Sequence, residues 1–314
     1  MIPSRLPPSL VLHVLTFVED EDAVRILQLD STSRSALDGY RVKRPVKYST
    51  YTRLSSRRHP LLVFSRLVHV PSPLSALPVS LTHLSLSPNF NAALPPLCLA
   101  GLLSLTHLTF YWKYNVPLAV GSLPSTLSHL TLSRMFNQAV LPHHLPDNIT
   151  HLTFGELFNQ PLSVGVLPTR IVQLTFLGEF NRRLEAGVLP TSLTRLTFGR
   201  WFNQPLAKGV LPCALVELVF GQFYNHTLEP DVLPASLCRL TFGSAFGKPL
   251  AAGVLPCSLR SLRFQRGRTS AEFLKTCCIP RGCEITIVDV SGETRTCADV
   301  SVSCAVSLHR PYNI

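Results

Sequence analysis

The sequence predicts a β-rich solenoid, in which short coils stack so that their strands form one parallel sheet. A short N-terminal helical segment and a β-type C-terminal cap are expected at its ends. Three observations predict this fold. A Leu-Pro pair recurs every 22 residues, an LxxLxF-like pattern follows each pair, and a Phe-Asn pair follows that pattern in most coils. A fixed period in the low twenties is typical of solenoids, because a single coil cannot bury its apolar face alone.

The strand of each coil is predicted from its apolar columns. After the Leu145-Pro146 pair, for example, come Ile149, Leu152 and Phe154. Alternate side chains of a strand point to opposite faces, so Leu152 and Phe154 share the face that stacking buries. Seven coils have this spacing and two less regular coils precede them. We therefore expect about nine coils of 22 residues between residues 77 and 264.

An asparagine recurs beside the aromatic residue that follows each predicted strand. Such a column could bind a ligand or form a buried ladder. We interpret it as a ladder, because an amide side chain can satisfy backbone groups of the turns. Gly247 interrupts the column in the last coil. The members of the column are Asn91, Asn115, Asn137, Asn159, Asn181, Asn203 and Asn225.

The repeat unit resembles the FNIP repeat, which is named for a Phe-Asn-Ile-Pro signature and is a relative of the leucine-rich repeat. Here the Phe-Asn pair is followed mainly by Gln-Pro-Leu, as in Gln160-Pro161-Leu162 and Gln204-Pro205-Leu206. The resemblance extends over the array of coils. It implies a leucine-rich-repeat-like stack.

In a leucine-rich-type solenoid, the strand residues between the buried ones face a concave surface, and here they form two columns. One contains Ser85 and a series of threonines, which are suited to strands. The other changes from histidine to charged residues along the array, which makes the surface non-uniform, as recognition requires. The members of this second column are His83, His107, His129, His151, Gln173, Arg195, Glu217 and Arg239.

Three interpretations of the histidine-containing column stay open: a metal site, a solvated row and a partner-binding row. Ligands in one flat row do not surround an ion, and no carboxylate or thiol lies between these histidines, which argues against a metal. A partner-binding row would change its charge near neutral pH, where histidine titrates. Trp201, in the variable position before Phe202-Asn203, is a further candidate for surface contact.

Residues 1–45 have apolar residues at helical spacing, which predicts short helices. Leu6-Pro7, the amphipathic stretch that ends at Val18 and the acidic turn after it resemble an F-box. The resemblance implies docking on the Skp adaptor of a cullin–RING ubiquitin ligase. The residues that would dock are Leu6, Pro7, Leu10, Val14, Leu15 and Val24. The alternative is a helical cap that shields the first coil, as the ends of solenoids require.

Residues 46–76 are predicted to form a basic linker and N-terminal cap. Lysines and arginines are concentrated between Arg41 and Arg66. Such a cluster can bind nucleic acid, but no stacking motif accompanies it, so we favour a solvated junction.

Residues 265–314 are predicted to form a C-terminal cap, because the repeat pattern ends after Phe264. The segments EITIVDV and ADVSVSCAV, on either side of Ser291-Gly292, alternate like two strands. Cys277, Cys278 and Cys283 cluster here, but without a CxxC pair or a nearby histidine they indicate a zinc site only weakly.

Composition limits the class of function. The net charge is +11, with 15% charged residues. No apolar run is long enough to span a bilayer. The N-terminus does not resemble a secretory signal, so we expect a cytoplasmic or nuclear protein with reduced cysteines. The sequence has no phosphate-binding glycine loop, HExxH motif or nucleophile elbow, so neither catalysis nor a cofactor is expected. The expected function is protein binding, as a substrate-recruiting F-box subunit of a ubiquitin ligase or, alternatively, as a free-standing repeat scaffold.

Overall fold

The computed structural model describes residues 41–42, 46–47, 63–64, 66–70, 74, 77–265, 279–288 and 294–297. These residues form strands, turns and loops without a helix, so none of them belongs to a helix that could cross a membrane. Of residues 1–45, in which N-terminal helices were expected, the structure describes only Arg41–Val42, which form a strand, and the predicted helices themselves lie outside the described residues.

Among the described residues, four short strands precede the repeat array. They are β1 (Arg41–Val42), β2 (Val46–Lys47), β3 (Val63–Phe64) and β4 (Arg66–Val70). β1 and β3 form a two-stranded parallel sheet, whereas β2 and β4 belong to the main sheet. Leu67 and Val70 of β4 are buried, and the register shifts between them.

Nine strands follow in the array, one for each predicted coil. They are β5 (His83–Leu86), β6 (His107–Thr109), β7 (His129–Thr131), β8 (His151–Phe154), β9 (Gln173–Phe176), β10 (Arg195–Thr197), β11 (Glu217–Val219), β12 (Arg239–Phe242) and β13 (Ser261–Gln265). Each pairs in parallel with the next, and the pairing joins equivalent residues, as Leu152 with Leu174. The predicted solenoid of about nine coils is confirmed.

The sheet continues beyond Phe264, where the sequence pattern predicted the end of the repeat. β14 (Glu284–Val288) pairs in parallel with β13, and β15 (Thr294–Cys297) pairs antiparallel with β14. The resulting sheet has thirteen strands in the described residues, in the order β15, β14 and so on down to β4 and then β2. The ADVSVSCAV segment, expected to supply the second cap strand, lies outside the described residues, and β15 precedes it.

The core is formed by the columns that the spacing predicted. In the coil of β8, Ile149, Leu152 and Phe154 are at most 1% exposed. Phe158, of the Phe-Asn pair, packs on Phe154 with ring centroids 4.0 Å apart. It also stacks on Phe180 of the next coil at 6.0 Å. Aromatic rings at these separations attract each other beyond simple burial. Stacking therefore couples each coil to its neighbour.

The return loop before each Leu-Pro pair contains a residue in the left-handed region. Gly187 and Gly209 have φ values of 85° and 83°, which glycine adopts without steric cost. Asp231 occupies the equivalent position with φ 64°. After the pair, the proline carbonyl accepts a hydrogen bond from the aliphatic residue three positions on, as Leu193 N–H donates to Pro190 O at 3.1 Å. This turn leads the chain back into the sheet.

Candidate partner-binding face

The outward side chains of β5 to β12 form two straight rows, which we call the outer sheet face. It comprises the histidine-containing column and the neighbouring Ser85–Thr241 column. Strand residues alternate between buried and partly exposed, so these columns lie on the side opposite the core. The register brings all eight predicted residues into one row, because His83 pairs with His107, His151 with Gln173, and so on to Arg239.

The four histidines are stacked face to face. Ring centroids are 4.0 Å apart between His83 and His107, 4.0 Å between His107 and His129, and 4.1 Å between His129 and His151. The ring planes differ by 11–13°. Stacked rings point their nitrogens in parallel rather than towards one centre. No group of three or more possible metal ligands occurs among the described residues.

A hydroxyl precedes each histidine and contacts its ring. Thr82, Thr106, Ser128 and Thr150 place Oγ 2.8–2.9 Å from Nδ1 of the next residue. Sequence reasoning missed this contact. The signal was present as a Ser or Thr immediately before every histidine of the column, whereas Val172 precedes Gln173.

Two histidines of the stack, His129 and His151, resist protonation. Burial lowers the pKa of His129 to about 4, with repulsion from His107 and His151 as smaller causes. Burial and the charge of Arg195 also lower the pKa of His151. The expectation that this row changes charge near neutral pH is therefore wrong for His129, which is neutral at pH 7.

The charged part of the column forms an ion-pair network. Arg239 Nη2 lies 2.9 Å from Glu217 Oε2, and Arg195 Nε lies 3.9 Å from the same oxygen. All three side chains are at least one-third exposed, so solvent screens these pairs and they contribute little to stability. Their position on the outer sheet face makes them available to a partner.

The asparagine column forms a hydrogen-bonded ladder along one side of the coils. Each Oδ1 accepts the backbone N–H of the equivalent residue one coil further on, at 2.9–3.0 Å, from Asn91 through to the N–H of Gly247. Gln138 and Gln204 donate to the same oxygens. Asn91 and Asn115 are exposed and the other members are half-buried, so the ladder lies at the surface rather than in the core as expected.

Both tryptophans of the chain lie between a strand and the aromatic-Asn pair that follows it, which is Tyr114-Asn115 for Trp112 and Phe202-Asn203 for Trp201. Trp201 is 47% exposed and stacks on Phe223 with centroids 4.4 Å apart. Trp112 is also 47% exposed, and the guanidinium carbon of Arg134 lies 4.4 Å from its ring centroid. Arg134 also pairs with Glu156. Exposed Trp and Arg are enriched in protein interfaces, so this edge of the coils is a second surface available for contact.

Two groups of predicted residues are not placed on this face. Leu6, Pro7, Leu10, Val14, Leu15 and Val24, together with Cys277 and Cys278, lie outside the described residues. Cys283 is 2% exposed and its N–H donates to Pro280 O, as Leu259 N–H donates to Pro256 O. It therefore occupies the aliphatic position of a further coil and serves as a core residue.

Comparison with protein families identifies the repeat. The FNIP Repeat model matches residues 103–134, 136–178, 180–223 and 224–266, together slightly more than half of the chain. The chain belongs to the FNIP-repeat family. Three of the four matches begin at the aromatic residue of a Phe-Asn position, and each of these spans two coils of the FNIP-repeat sheet. No curated protein is significantly similar to the chain.

A solved structure supports the leucine-rich-repeat-like fold. The FNIP-repeat chain is similar to CroV588, described as a novel circular LRR protein, with 40% sequence identity and a TM-score of 0.59. The similarity covers 66% of this chain and 30% of that chain. The chain therefore spans about a third of the length of the protein it matches.

Proposed function

We propose that this FNIP-repeat chain is a non-catalytic protein-interaction module and that its outer sheet face binds a partner protein. The supporting observation is the contrast between the two sides of the strands. The buried position stays leucine at Leu152, Leu174, Leu196 and Leu218, whereas the outward neighbour changes from histidine to Gln, Arg and Glu. A constant buried residue is what the stacked scaffold requires, and a varied outward residue is what recognition of a partner requires. Stacked coils present such a surface as one extended row.

The finer proposal is that residues 1–45 attach this module to a ubiquitin ligase. Its support is the F-box-like pattern of Leu6-Pro7 and the helix-spaced residues after it, which would dock on the Skp adaptor of a cullin–RING ligase. The outer sheet face would then hold a substrate for modification. This role places the protein in the cytoplasm or the nucleus, where its cysteines are reduced.

Affinity purification of the tagged full-length chain tests the binding role. We expect captured proteins to be lost when Arg195 and Arg239 are both replaced by alanine. They should be retained in a control that replaces Lys208, which is exposed, and Lys248, which is partly exposed; both lie outside the strands. Both variants remove two positive charges, so a difference reports position rather than net charge. Identical captured proteins in both variants would contradict binding on the outer sheet face.

A separate experiment tests the ligase link. The full-length chain and a chain lacking residues 1–45 are compared for capture of the Skp adaptor, with Leu10→Asp and Leu15→Asp as point variants. We expect deletion and point variants to abolish adaptor capture while partners of the outer sheet face are retained. Adaptor capture that survives the deletion removes the ligase role and leaves a free-standing scaffold.

A further inference from the structure

The return turns of the first four coils expose a row of apolar side chains, which we call the return strip. Its members are Leu97, Val120, Leu141 and Val164, with 54–72% of each residue exposed. Leu97 occupies the left-handed position of its turn, and the other three precede that position by one or two residues. Single exposed apolar residues are ordinary on a protein surface, whereas a contiguous row of them marks a contact site.

The return strip is contiguous because the turns stack on one another. Leu97 N–H donates to Gly121 O at 3.0 Å, so the first return turn lies directly on the second. At the other end of the strip, a Cβ atom on Gly187 would lie 3.8 Å from Cγ2 of Val164. Four turns at the spacing of adjacent strands give a strip about 14 Å long.

The same turn positions are small or charged in the later coils. The residue before the left-handed position is Val120 or Val164 in the strip but Ala186 and Lys208 in the two turns after it. Lys208 Nζ lies 2.9 Å from Oδ2 of Asp231, which itself occupies the left-handed position. The turn therefore forms without apolar residues at its surface. A contact explains the return strip better than the requirements of the fold do.

The chain that precedes β1 reaches the sheet at the same end of the array. β1 pairs in parallel with β3, β2 with β4, and β4 with β5, so β1 begins at the edge where the strands of the array begin. Each return turn leads into the start of the next strand. The residues before Arg41 thus leave the sheet on the side of the first return turns.

Residues 6–18 have an apolar face of matching length. Leu10, Val14 and Val18 are four residues apart, which places them on one face of the helix that their spacing predicts. The helix would extend about 12 Å from Leu10 to Val18. Residues 19–40 connect this stretch to β1 and can extend over at most roughly 70 Å, so the tether does not limit where the stretch docks.

We propose that residues 6–18 cover the return strip of the same molecule with the face that contains Leu10 and Val14. A second copy of the chain is a poorer occupant. The strip offers four apolar side chains, whereas a stable interface between separate chains has about 20–30 residues on each side. A tethered segment needs less contact, because its effective concentration is on the order of millimolar.

The contact has a consequence for the proposed ligase role, on which this step rests. Leu10 and Val14 are among the residues that would dock on the Skp adaptor. The return strip and the adaptor therefore compete for one face of the segment, and the strip holds that face covered until the adaptor displaces it.

Hydrogen exchange of the full-length protein, measured by mass spectrometry, tests the contact. We expect slow exchange of the amides in residues 6–18 of the parent. Val120→Asp combined with Val164→Asp should make these amides exchange about tenfold faster, because the released segment opens more often. The matched control combines Ala186→Asp with Ala252→Asp, which changes the same turn position in later coils where both alanines are exposed, and it should behave like the parent.

The reciprocal variant changes the segment instead of the strip. Leu10→Asp combined with Val14→Asp should speed exchange in the return turns of the first four coils. The return turns of the later coils should keep the exchange rates of the parent, which provides a control within the same molecule.

Capture of the Skp adaptor separates this contact from the ligase role. Release of a segment that is covered about nine-tenths of the time raises its affinity for a competing partner about tenfold. At limiting adaptor concentration, we therefore expect the Val120/Val164 variant to capture more adaptor than the parent or the Ala186/Ala252 control.

Equal exchange of residues 6–18 in the parent and in the Val120/Val164 variant would overturn the proposal. Protection that is present only at high protein concentration would assign the strip to a second copy and would also overturn it. Lost protection without a gain in adaptor capture would support the contact and contradict the competition with the adaptor. Absence of adaptor capture in every variant would remove the ligase role alone.

Discussion

Gly199 lies against the backbone of the preceding coil. A Cβ atom at this position would lie 2.5 Å from the nitrogen and 2.6 Å from the oxygen of Gly178, distances that real Cβ atoms do not show. The adjacent hydrogen bond, from Trp201 N–H to Gly178 O at 3.1 Å, holds the two coils at this separation. Glycine is required here by the close approach of two main chains rather than by its own dihedral angles.

We expect Gly199→Ala to lower the free energy of unfolding by about 1–3 kcal/mol, because backbone atoms must shift to admit the methyl group. Gly247→Ala is the matched control, since a Cβ there would meet nothing within 4 Å. Urea unfolding followed by circular dichroism measures both variants. Equal urea midpoints for the two variants would mean that the backbone shifts to admit the methyl group at residue 199 without a loss of stability.

The lowered pKa of His129 makes stability depend on pH. The unfolded state binds a proton near pH 6.5, whereas the folded state binds it only near pH 4. Protons therefore favour the unfolded chain between these values, and the stability that is present above pH 6.5 is lost as the pH falls towards 4. We expect the Tm to fall over this range. His129→Gln, which introduces the residue of the β9 position, should flatten the decline.

Calorimetry of the parent and His129→Gln between pH 7.5 and 4 measures this dependence. The groups that face His129 in the stack are His107 and His151, and Arg195 acts on His151, so a residual slope from the remaining histidines is expected in the variant. Parallel curves for the two proteins would mean that His129 is protonated alike in the folded and unfolded states.

The asparagine ladder shows how one element depends on the next. Asn159 Oδ1 accepts the N–H of Asn181 at 3.0 Å. Asn159→Ala removes that acceptor and leaves a half-buried N–H without its protein partner, so we expect a loss of about 1–3 kcal/mol. Asn159→Asp keeps an acceptor at the same place and should recover most of the loss. Urea midpoints compare the variants, and equal destabilisation by both would assign the effect to the lost NH2 group instead.

Most of the array could be predicted from the sequence because its elements repeat in phase. The position of β8 followed from Leu152 and Phe154, and the residues that share the outer sheet face followed from strand alternation. The strand β14 was predicted within EITIVDV, but its parallel pairing with β13 as a further coil was not. Ile285 and Ile287 lie beside Leu262 and Phe264, but the spacing from Cys283 to Ile285 is one residue shorter than from Leu259 to Leu262. Because of this one-residue difference, the segment does not match the spacing of the repeat and was not recognised as a coil.

The chemistry of the outer sheet face was less accessible to sequence reasoning. The row of histidines was visible as a column, but its titration depended on how closely the rings stack. Rings held 4.0–4.1 Å apart are shielded from water and repel one another's charge, and neither effect can be read from spacing along the chain. The hydroxyl contact at Nδ1 requires a side-chain rotamer, which the pattern of residues does not fix.

The thirteen-stranded sheet of the described residues is a one-dimensional stack in which each strand packs on the strands beside it. Stability in such a stack is approximately the sum of the stabilities of single coils and of the interfaces between neighbours. A destabilised coil in the middle of the array therefore weakens the coils on both sides of it. A destabilised coil near one end weakens mainly the few coils between it and that end.

Leu174→Ala and Leu84→Ala test this behaviour, because both leucines are at most 1% exposed and have equivalent positions in β9 and β5. Each should cost about 2–5 kcal/mol locally. Hydrogen exchange measured by mass spectrometry should show that Leu174→Ala lowers amide protection in the coils on both sides of β9. With Leu84→Ala the loss should be confined to the first coils, while β10 to β13 keep the protection of the parent. A uniform loss across all nine coils in both variants would mean that the array unfolds as one unit, and that the interfaces between coils are stronger than the coils themselves.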